Sequence, residues 1–349
     1  MIDSVTVNQS VEVALLTNGE PVAPSAPLIA GRPGLVRVHA QGVTGDLTAT
    51  LTVSTANGQQ VFEDGPRAVK DADAMDLDST FHFVVPSELM TPSTRLAVAV
   101  RKAGSTTDAP VTLPAPGTLD AFADDTAPAF RLRFYPVLNN NLVPTISEAV
   151  VKRYQDRLYE LYPVARVEVT VAPTYPWKLA IEPTGEGWNS LFVALEQERA
   201  TEALDDDIYQ VAMITPMATQ DAFCAKGCFL GQGATATSAT DPKLRMAIMA
   251  LYGDPHEPDT LAEELGHAMG RNHAPCGDPP GVDAKFPQKD GSIGGVGWNP
   301  RTNELVGPAS KTFDFMSHCT PIWTSAYSFS AVFERQKTIA KAMANHRSP

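Results

Sequence analysis

The chain has no apolar run long enough to cross a bilayer as a helix, so no membrane span is expected. It is short of cysteine: four in 349 residues, all in the C-terminal part. It is also short of positive charge, with 27 Lys and Arg against 40 Asp and Glu, a formal charge of −13. That balance argues against a nucleic-acid partner, whose phosphates require basic patches. It is compatible with a soluble exported protein or with a preference for basic substrates. A secretory leader is missing too: Met1-Ile2-Asp3-Ser4 begins directly in a strand pattern, so an exported chain has lost its leader or leaves by another route. No internal repeat is visible. What is abundant is Pro (29) and Gly (24), the composition of a turn-rich and strand-rich protein. A hydrophobic content of 43% and a charged content of 19% are globular values, and the length suits two domains.

Residues 1–118 read as an all-β sandwich. Val5 and Val7, then Val11, Val13 and Leu15, alternate with period two. So do Leu47, Ala49, Leu51 and Val53, then Phe81, Phe83 and Val85, then Leu96, Val98 and Val100. Turn residues such as Gly31-Arg32-Pro33-Gly34 and Ala56-Asn57-Gly58 separate the runs. Residues 119–128 are expected to be a linker, or a strap across the next domain, at the end of a Thr-, Pro-, Ala-, Gly- and Asp-rich stretch that begins near Lys102. Residues 129–349 then alternate strands and helices: strand Phe130–Val137, helix Thr145–Leu161, strand Val167–Val171, helix Trp188–Ala203 and strand Ile208–Ile214. Arg245–Leu251 reads as a buried strand and Tyr327–Ala344 as a closing helix.

The chemistry concentrates in Glu263-Glu264-Leu265-Gly266-His267-Ala268-Met269-Gly270-Arg271-Asn272-His273. Glu263 and His267, four residues apart, fall on one face of a helix, one turn apart. Glu264 projects at a neighbouring angle, toward a water held by such a pair. Gly270 lets the chain leave the helix through a backbone geometry that costs other residues more, and the turn returns His273 to the same point. Pro255 and Pro258 precede the segment. Thr260-Leu261-Ala262-Glu263 has capping-box form, which starts the helix at Asp259-Thr260. Leu261, Leu265, Ala268 and Met269 supply its apolar face.

This segment differs only at its first position from the long zinc-protease signature H-E-x-x-H-x-x-G-x-x-H, with Glu263 in place of the first histidine. Downstream, Phe313-Asp314-Phe315-Met316-Ser317-His318-Cys319 looks like a methionine turn. Together the two motifs resemble the metzincin clan of metallopeptidases, over roughly residues 128–349. The stretch from Pro27 to Pro33, followed by Leu35-Val36-Arg37-Val38, resembles the immunoglobulin-like domains that precede some bacterial secreted metallopeptidases. The resemblance implies an N-terminal immunoglobulin-like sandwich and a C-terminal α+β domain with a mixed sheet, a metal-binding helix and a methionine turn. It implies one Zn2+ per chain on His267, His273 and either Glu263 or His318, Glu264 as general base, and Met316 as a soft apolar floor. It also implies a Cys276–Cys319 disulfide between the two motifs.

Several alternatives stay open at the level of sequence. Glu263 is a carboxylate ligand, a helix cap closing on Thr260, or a substitution that disables the site. His318 is a ligand, or a hydrogen-bond donor to a developing oxyanion. Cys224 and Cys228 are spaced to close a small loop; the alternative is a thiolate site from all four cysteines. Two disulfides imply an oxidising compartment, hence a secreted or cell-envelope protein. The expected activity is zinc-dependent endoproteolysis of proteins or glycoproteins, with substrate extended along an edge near Cys224–Gly233. The rival is a pseudo-protease that binds peptide or glycoprotein without cutting it. His39, His82 and the pair His256-Glu257 belong to neither motif. Cleavage preference and oligomeric state are not legible.

Overall fold

The computed structural model describes residues 2–40, 45–68, 70–71, 73–105, 111–114, 117–127 and 129–347; for Ala309, His346 and Arg347 only the backbone is described. Pro128, the expected end of the linker, lies outside the described residues, as do residues 106–110, 115 and 116 of the stretch before it.

The period-two segments form two antiparallel sheets over one core. In the first, β1 (Ile2–Gln9) lies between β2 (Val11–Thr17) and β5 (Gly34–Ala40). β3 (Glu20–Pro21) adds to β2, and β8 (Phe81–Val85) to β5. In the second, β6 (Asp46–Thr55) lies between β7 (Gly58–Ala68) and β9 (Arg95–Lys102). Val5, Val7 and Val13 from one sheet and Leu51, Val53 and Val98 from the other bury in the same cluster. This is the outcome expected when one face of each strand is apolar and two such faces must leave water together.

The expected linker is part of this unit. β10 (Val111–Leu113) and β11 (Leu119–Asp120) pair with β9, and β12 (Ala123–Asp124) pairs parallel with β4 (Leu28–Ile29). Leu119, Ala121 and Ala123 are buried in the core. Composition alone hid this, because these apolar residues are small and separated by polar ones.

The second unit is built on β13 (Ala129–Leu138), flanked by β14 (Arg166–Val171) and β16 (Ile208–Ile214); β18 (Met246–Ala250) follows β16, all parallel. β15 (Tyr175–Pro176) extends the pairing of β13. β17 (Gly231–Gly233) is the exception, antiparallel to β18 at the sheet edge. The continuous burial of β16 and β18 is that of parallel strands covered on both faces. On one face pack α1 (Glu148–Leu161) and α4 (Glu257–Ala268); on the other packs α2 (Trp188–Glu202), before the short α3 (Gln220–Phe223). α1 starts later than Thr145 because Ser147 caps it, its hydroxyl accepting from the N–H of Val150 at 3.3 Å. Tyr154, Leu158 and Leu161 then line its buried stripe. A hairpin of β19 (Gly297–Asn299) and β20 (Glu304–Val306), and a parallel pair of β21 (Phe313–Asp314) and β22 (Ile322–Trp323), precede the long α5 (Ala326–Arg347).

The two units are tightly joined. Phe329 and Phe333 of α5 bury in the core of the sandwich, and Lys337 pairs with Asp124 at 2.7 Å. Arg32, fully buried, donates to the carbonyls of Tyr159, Tyr162 and Val164 at 2.6, 3.1 and 2.9 Å, where α1 ends. Tyr159 O belongs to the last turn, whose carbonyls a helix terminus leaves without intrahelical partners at the negative end of its dipole; Tyr162 O also accepts from Val164 N at 2.9 Å. Burial pulls the Arg32 guanidinium down to about 10, so it stays charged at neutral pH. Ser10, at φ +76° between β1 and β2, takes part in the same junction: its hydroxyl bonds to the Glu160 carbonyl, and its carbonyl accepts from Trp298 N and from Trp323 Nε1 at 2.8 Å.

Candidate metal centre

The motif helix α4 starts a turn earlier than its capping-box form implies. His256 is the N-cap, Pro258 lies inside the first turn, and Thr260 is already helical. The capping-box reading of Glu263 is therefore overturned, since Glu263 lies well beyond the first turn. The early start rests on Glu257, a residue that the spacing of the motif did not mark. Its carboxylate is buried and accepts from the N–H groups of Tyr252 and Gly253 at 2.5 and 2.7 Å, and from Arg153 of α1 at 2.6 Å. A carboxylate at a helix N-terminus also meets the positive end of the dipole.

The other end of α4 follows from Gly270. It sits at φ +80°, with its N–H on the His267 carbonyl at 2.8 Å and the N–H of Arg271 on the Gly266 carbonyl at 2.9 Å. This is the six-to-one and five-to-two bonding by which a left-handed residue closes a helix. The chain then reverses toward His273.

Glu263, His267 and His273 converge: one carboxylate oxygen and two imidazole nitrogens lie within 4.8 Å of one another. The two Nε2 atoms are 3.0 Å apart, and Glu263 Oε1 is 3.2 Å from Nε2 of His273. Both rings are held from behind. His267 Nδ1 donates to the Arg271 carbonyl at 2.8 Å, and His273 Nδ1 donates to the Pro280 carbonyl at 2.5 Å. A carbonyl only accepts, so in each neutral ring the proton is on Nδ1 and the lone pair of Nε2 points at the other ring. Two facing lone pairs are relieved by a proton on His273 Nε2, shared with Glu263, or by a cation held between the rings, and this backing is how metal-ligating histidines are oriented. Nitrogens about 2.0–2.1 Å from a tetrahedral centre stand about 3.3 Å apart, close to the separation seen here. The residues therefore fit a divalent cation.

His318 stands at the edge of this group. Its Nε2 is 3.5 Å from Glu263 Oε1, its ring centre is 5.0 Å from that of His273, and its side chain is 42% exposed. Met316 lies under the helix: a Cβ placed on Gly266 would come within 2.3 Å of its sulfur. The turn that presents Met316 is organised by Asp314, which is fully buried and accepts from Met316 N, Ser325 N and the Ser328 hydroxyl at 2.9–3.0 Å. Burial pushes the Asp314 carboxyl up, against those bonds. Cys276 is bonded to Cys319, and Ala274 N and His318 N reach the carbonyls of Met316 and Cys276. The loop carrying His273 and the turn carrying Met316 and His318 are thus one cross-linked body. Cys224 is bonded to Cys228, and no cysteine is free, so the thiolate alternative falls.

Glu264 faces the edge strand. A Cβ on Gly231 would come within 2.6 Å of its Oε1, and one on Gly233 within 2.1 Å of its backbone oxygen, so only glycine lets β17 approach α4 this closely. Burial, then the charge of Glu263, pushes the Glu264 carboxyl up to about 8, and the N–H of Gly233 opposes them. Burial pulls His267 down, whereas the bond to Glu263 holds His273 up. The need for glycine at 231 and 233 was not legible from the motif, because it arises from a strand distant in sequence.

Three further histidines lie away from this group. His39 and His82 lie in β5 and β8 of the sandwich, near Asp3 and Asp64, and His256 caps α4. Among the described residues no helix is long and apolar enough to cross a membrane. No protein-family model matches the chain, and no curated protein matches it.

Proposed function

We propose that the chain is a zinc-dependent endopeptidase of metzincin type, carried behind an immunoglobulin-like sandwich and working in an oxidising, extracellular setting. The observation that carries this reading is the convergence of Glu263, His267 and His273 with both imidazoles backed by carbonyls. Its support is the order of parts around that group: four parallel strands with an antiparallel edge strand, a helix ended by Gly270, a returning histidine, and a methionine turn under the helix. The two disulfides support the compartment.

In this reading His267, His273 and Glu263 hold zinc, with His318 next to them. When bound, the metal supplies Lewis acidity toward the scissile carbonyl and the attacking water. Glu264, held against the edge strand, takes the proton of that water and passes it to the leaving amine. Burial and Glu263 alone keep that carboxyl protonated at neutral pH, and the charge of a bound cation would draw it back toward the carboxylate that accepts a proton. His318, half exposed, donates to the oxygen that gains charge.

Substrate lies along β17. Ala250 N bonds to the Leu230 carbonyl and Ala234 N to that of Met246, so the pairing to β18 runs through Leu230, Gln232 and Ala234. By the alternation of an antiparallel ladder, Gly231 and the Gly233 carbonyl turn to the open edge, whereas the Gly233 N–H is engaged by Glu264. An extended peptide adds there as a further strand, next to Glu264.

The test is cleavage of an unfolded protein by zinc-loaded chain, read by mass spectrometry of new termini, with Glu264→Gln as control. Fragments from the parent chain, and a fall of about 10²–10⁴ in rate for the variant with zinc retained, support the reading. One zinc per chain with no fragments would make the protein a binder of peptide or glycoprotein instead.

A further inference from the structure

On the far side of the second unit from β17, where β13, β14 and β16 begin, α5 leaves a cavity of about 580 Å3 against the sheet. That is within the size range of small-molecule sites. Phe130, Ile339, Ala340 and Met343 make its walls apolar. Two polar side chains lie at its buried end, Gln336 and Tyr209, 6% and 2% exposed.

Gln336 sets this cavity apart from ordinary packing. Two other glutamines are fully buried, and both are bonded at each end of the amide. Gln9 bonds to Ile29 O, Arg32 O and Ile29 N, and Gln210 to Leu195 O, Tyr135 Oη and Arg199 Nε. Gln336 has no partner on Nε2 or on Oε1 among the described residues. Buried polar atoms are nearly always bonded, and an exception calls for a ligand or another explanation.

The surroundings give the sign of the ligand. The Tyr209 hydroxyl lies beside the guanidinium of Arg245 and in the field of Arg335. Both arginines direct their donors at backbone carbonyls rather than carboxylates: Arg245 at Asp206 and Ala239, Arg335 at Met269 and Ala236. Neither pairs with a carboxylate in an ion pair among the described residues, so their charge stands uncancelled behind Tyr209, outside the cavity lining. At the mouth both arginines are paired, Arg131 with Asp205 and Asp207 at 2.9 and 2.7 Å, and Arg166 with Glu168 at 2.6 Å, so no free cation competes there with the inner end. Arginines behind Tyr209, donors from an amide and a phenol, apolar walls and a mouth whose arginines are already paired complement an anionic head on an apolar tail.

We infer that this cavity binds a monocarboxylate with an aliphatic chain, its carboxylate accepting from Gln336 Nε2 and Tyr209 Oη. The site is separate from Glu263, His267 and His273 and does not depend on what they hold.

Equilibrium dialysis of labelled octanoate against the full chain tests this, with octanamide as the neutral probe of equal length. One octanoate per chain is expected, with octanamide, Gln336→Leu and Tyr209→Phe each weaker by about tenfold or more, the effect of losing a bond to a charged group. Ala340→Trp, which fills the cavity from its wall, should abolish retention and serves if a floor variant does not fold. No retained octanoate would overturn the inference. So would equal retention of octanamide, or retention that none of the three substitutions changes.

Discussion

Glu263 Oε1 stands 3.2 Å from Nε2 of His273, and the same oxygen is 3.5 Å from Nε2 of His318. A carboxylate engaged in capping would face the N-terminus of α4; this one faces two imidazoles across the exit of the helix. If it is a ligand, Glu263→Ala should weaken zinc binding by about 10–100-fold or more, since even groups behind the ligands have effects of that size. Glu263→His, which restores nitrogen at the position, should bind at least as tightly as the parent. Competition with a chelating dye reads both. An alanine variant with the parent's affinity would remove Glu263 from the site.

The Cys276–Cys319 bond joins residues 43 apart and ties the His273 loop to the methionine turn. Loop-closure entropy gives such a bond about 4 kcal/mol, against about 2 kcal/mol for the four-residue Cys224–Cys228 loop. Replacing Cys276 and Cys319 together by serine should therefore lower stability more than replacing Cys224 and Cys228. It should also loosen zinc, because His273 and His318 lose their common support, whereas the smaller loop should leave affinity unchanged. Denaturant titration and zinc competition on the two double variants separate the effects. Equal zinc affinity in both would mean that the cross-link has no part in holding the ligands.

How far these features are legible in sequence depends on their range. The Glu263–His273 segment is local: helical spacing sets two side chains, and Gly270 sets the exit, so a single stretch of residues implies the convergence. Ile208–Ile214 is read correctly as a strand because an unbroken apolar run of that length has few other uses. The start of α4 is misread for an instructive reason. Thr260 and Glu263 have the spacing of a capping box, yet Glu257 bonds the preceding backbone and Arg153, a residue of another helix, and that tertiary contact prevails. The same holds for Gly231 and Gly233, whose need for glycine exists only once β17 lies against Glu264. Leu119, Ala121 and Ala123 show the converse, three modest residues in a polar stretch that bury completely because β9 and β4 offer edges to pair with.

Arg32 gives a test of how strongly the two units depend on each other. It bonds three carbonyls where α1 ends; Arg32→Met would remove its donors from those of Tyr159 and Val164, while Tyr162 O keeps Val164 N. Each orphaned carbonyl costs about 1–3 kcal/mol, so a loss of about 2 kcal/mol or more is expected. Because the damage falls at the junction, calorimetry should also resolve two transitions where the parent has one. A variant that melts as the parent does, in one transition at the same temperature, would show that the apolar contacts of Phe329 and Phe333 suffice to couple the units.

Gln336 predicts the opposite sign of effect. A buried amide without partners carries its desolvation cost uncompensated, about 1–3 kcal/mol, and a leucine of similar size does not. Gln336→Leu should therefore raise the melting temperature of the free protein by about 2–4 °C for each kcal/mol recovered. Such a gain is common where a residue is kept for function at the expense of stability. The comparison with ligand sharpens the test. Saturating octanoate should raise the melting temperature of the parent, by the linkage between binding and folding, and raise that of Gln336→Leu by clearly less. A variant that melts below the parent, with no response to octanoate in either, would mean that Gln336 has an ordinary packing role and that its amide is held by solvent.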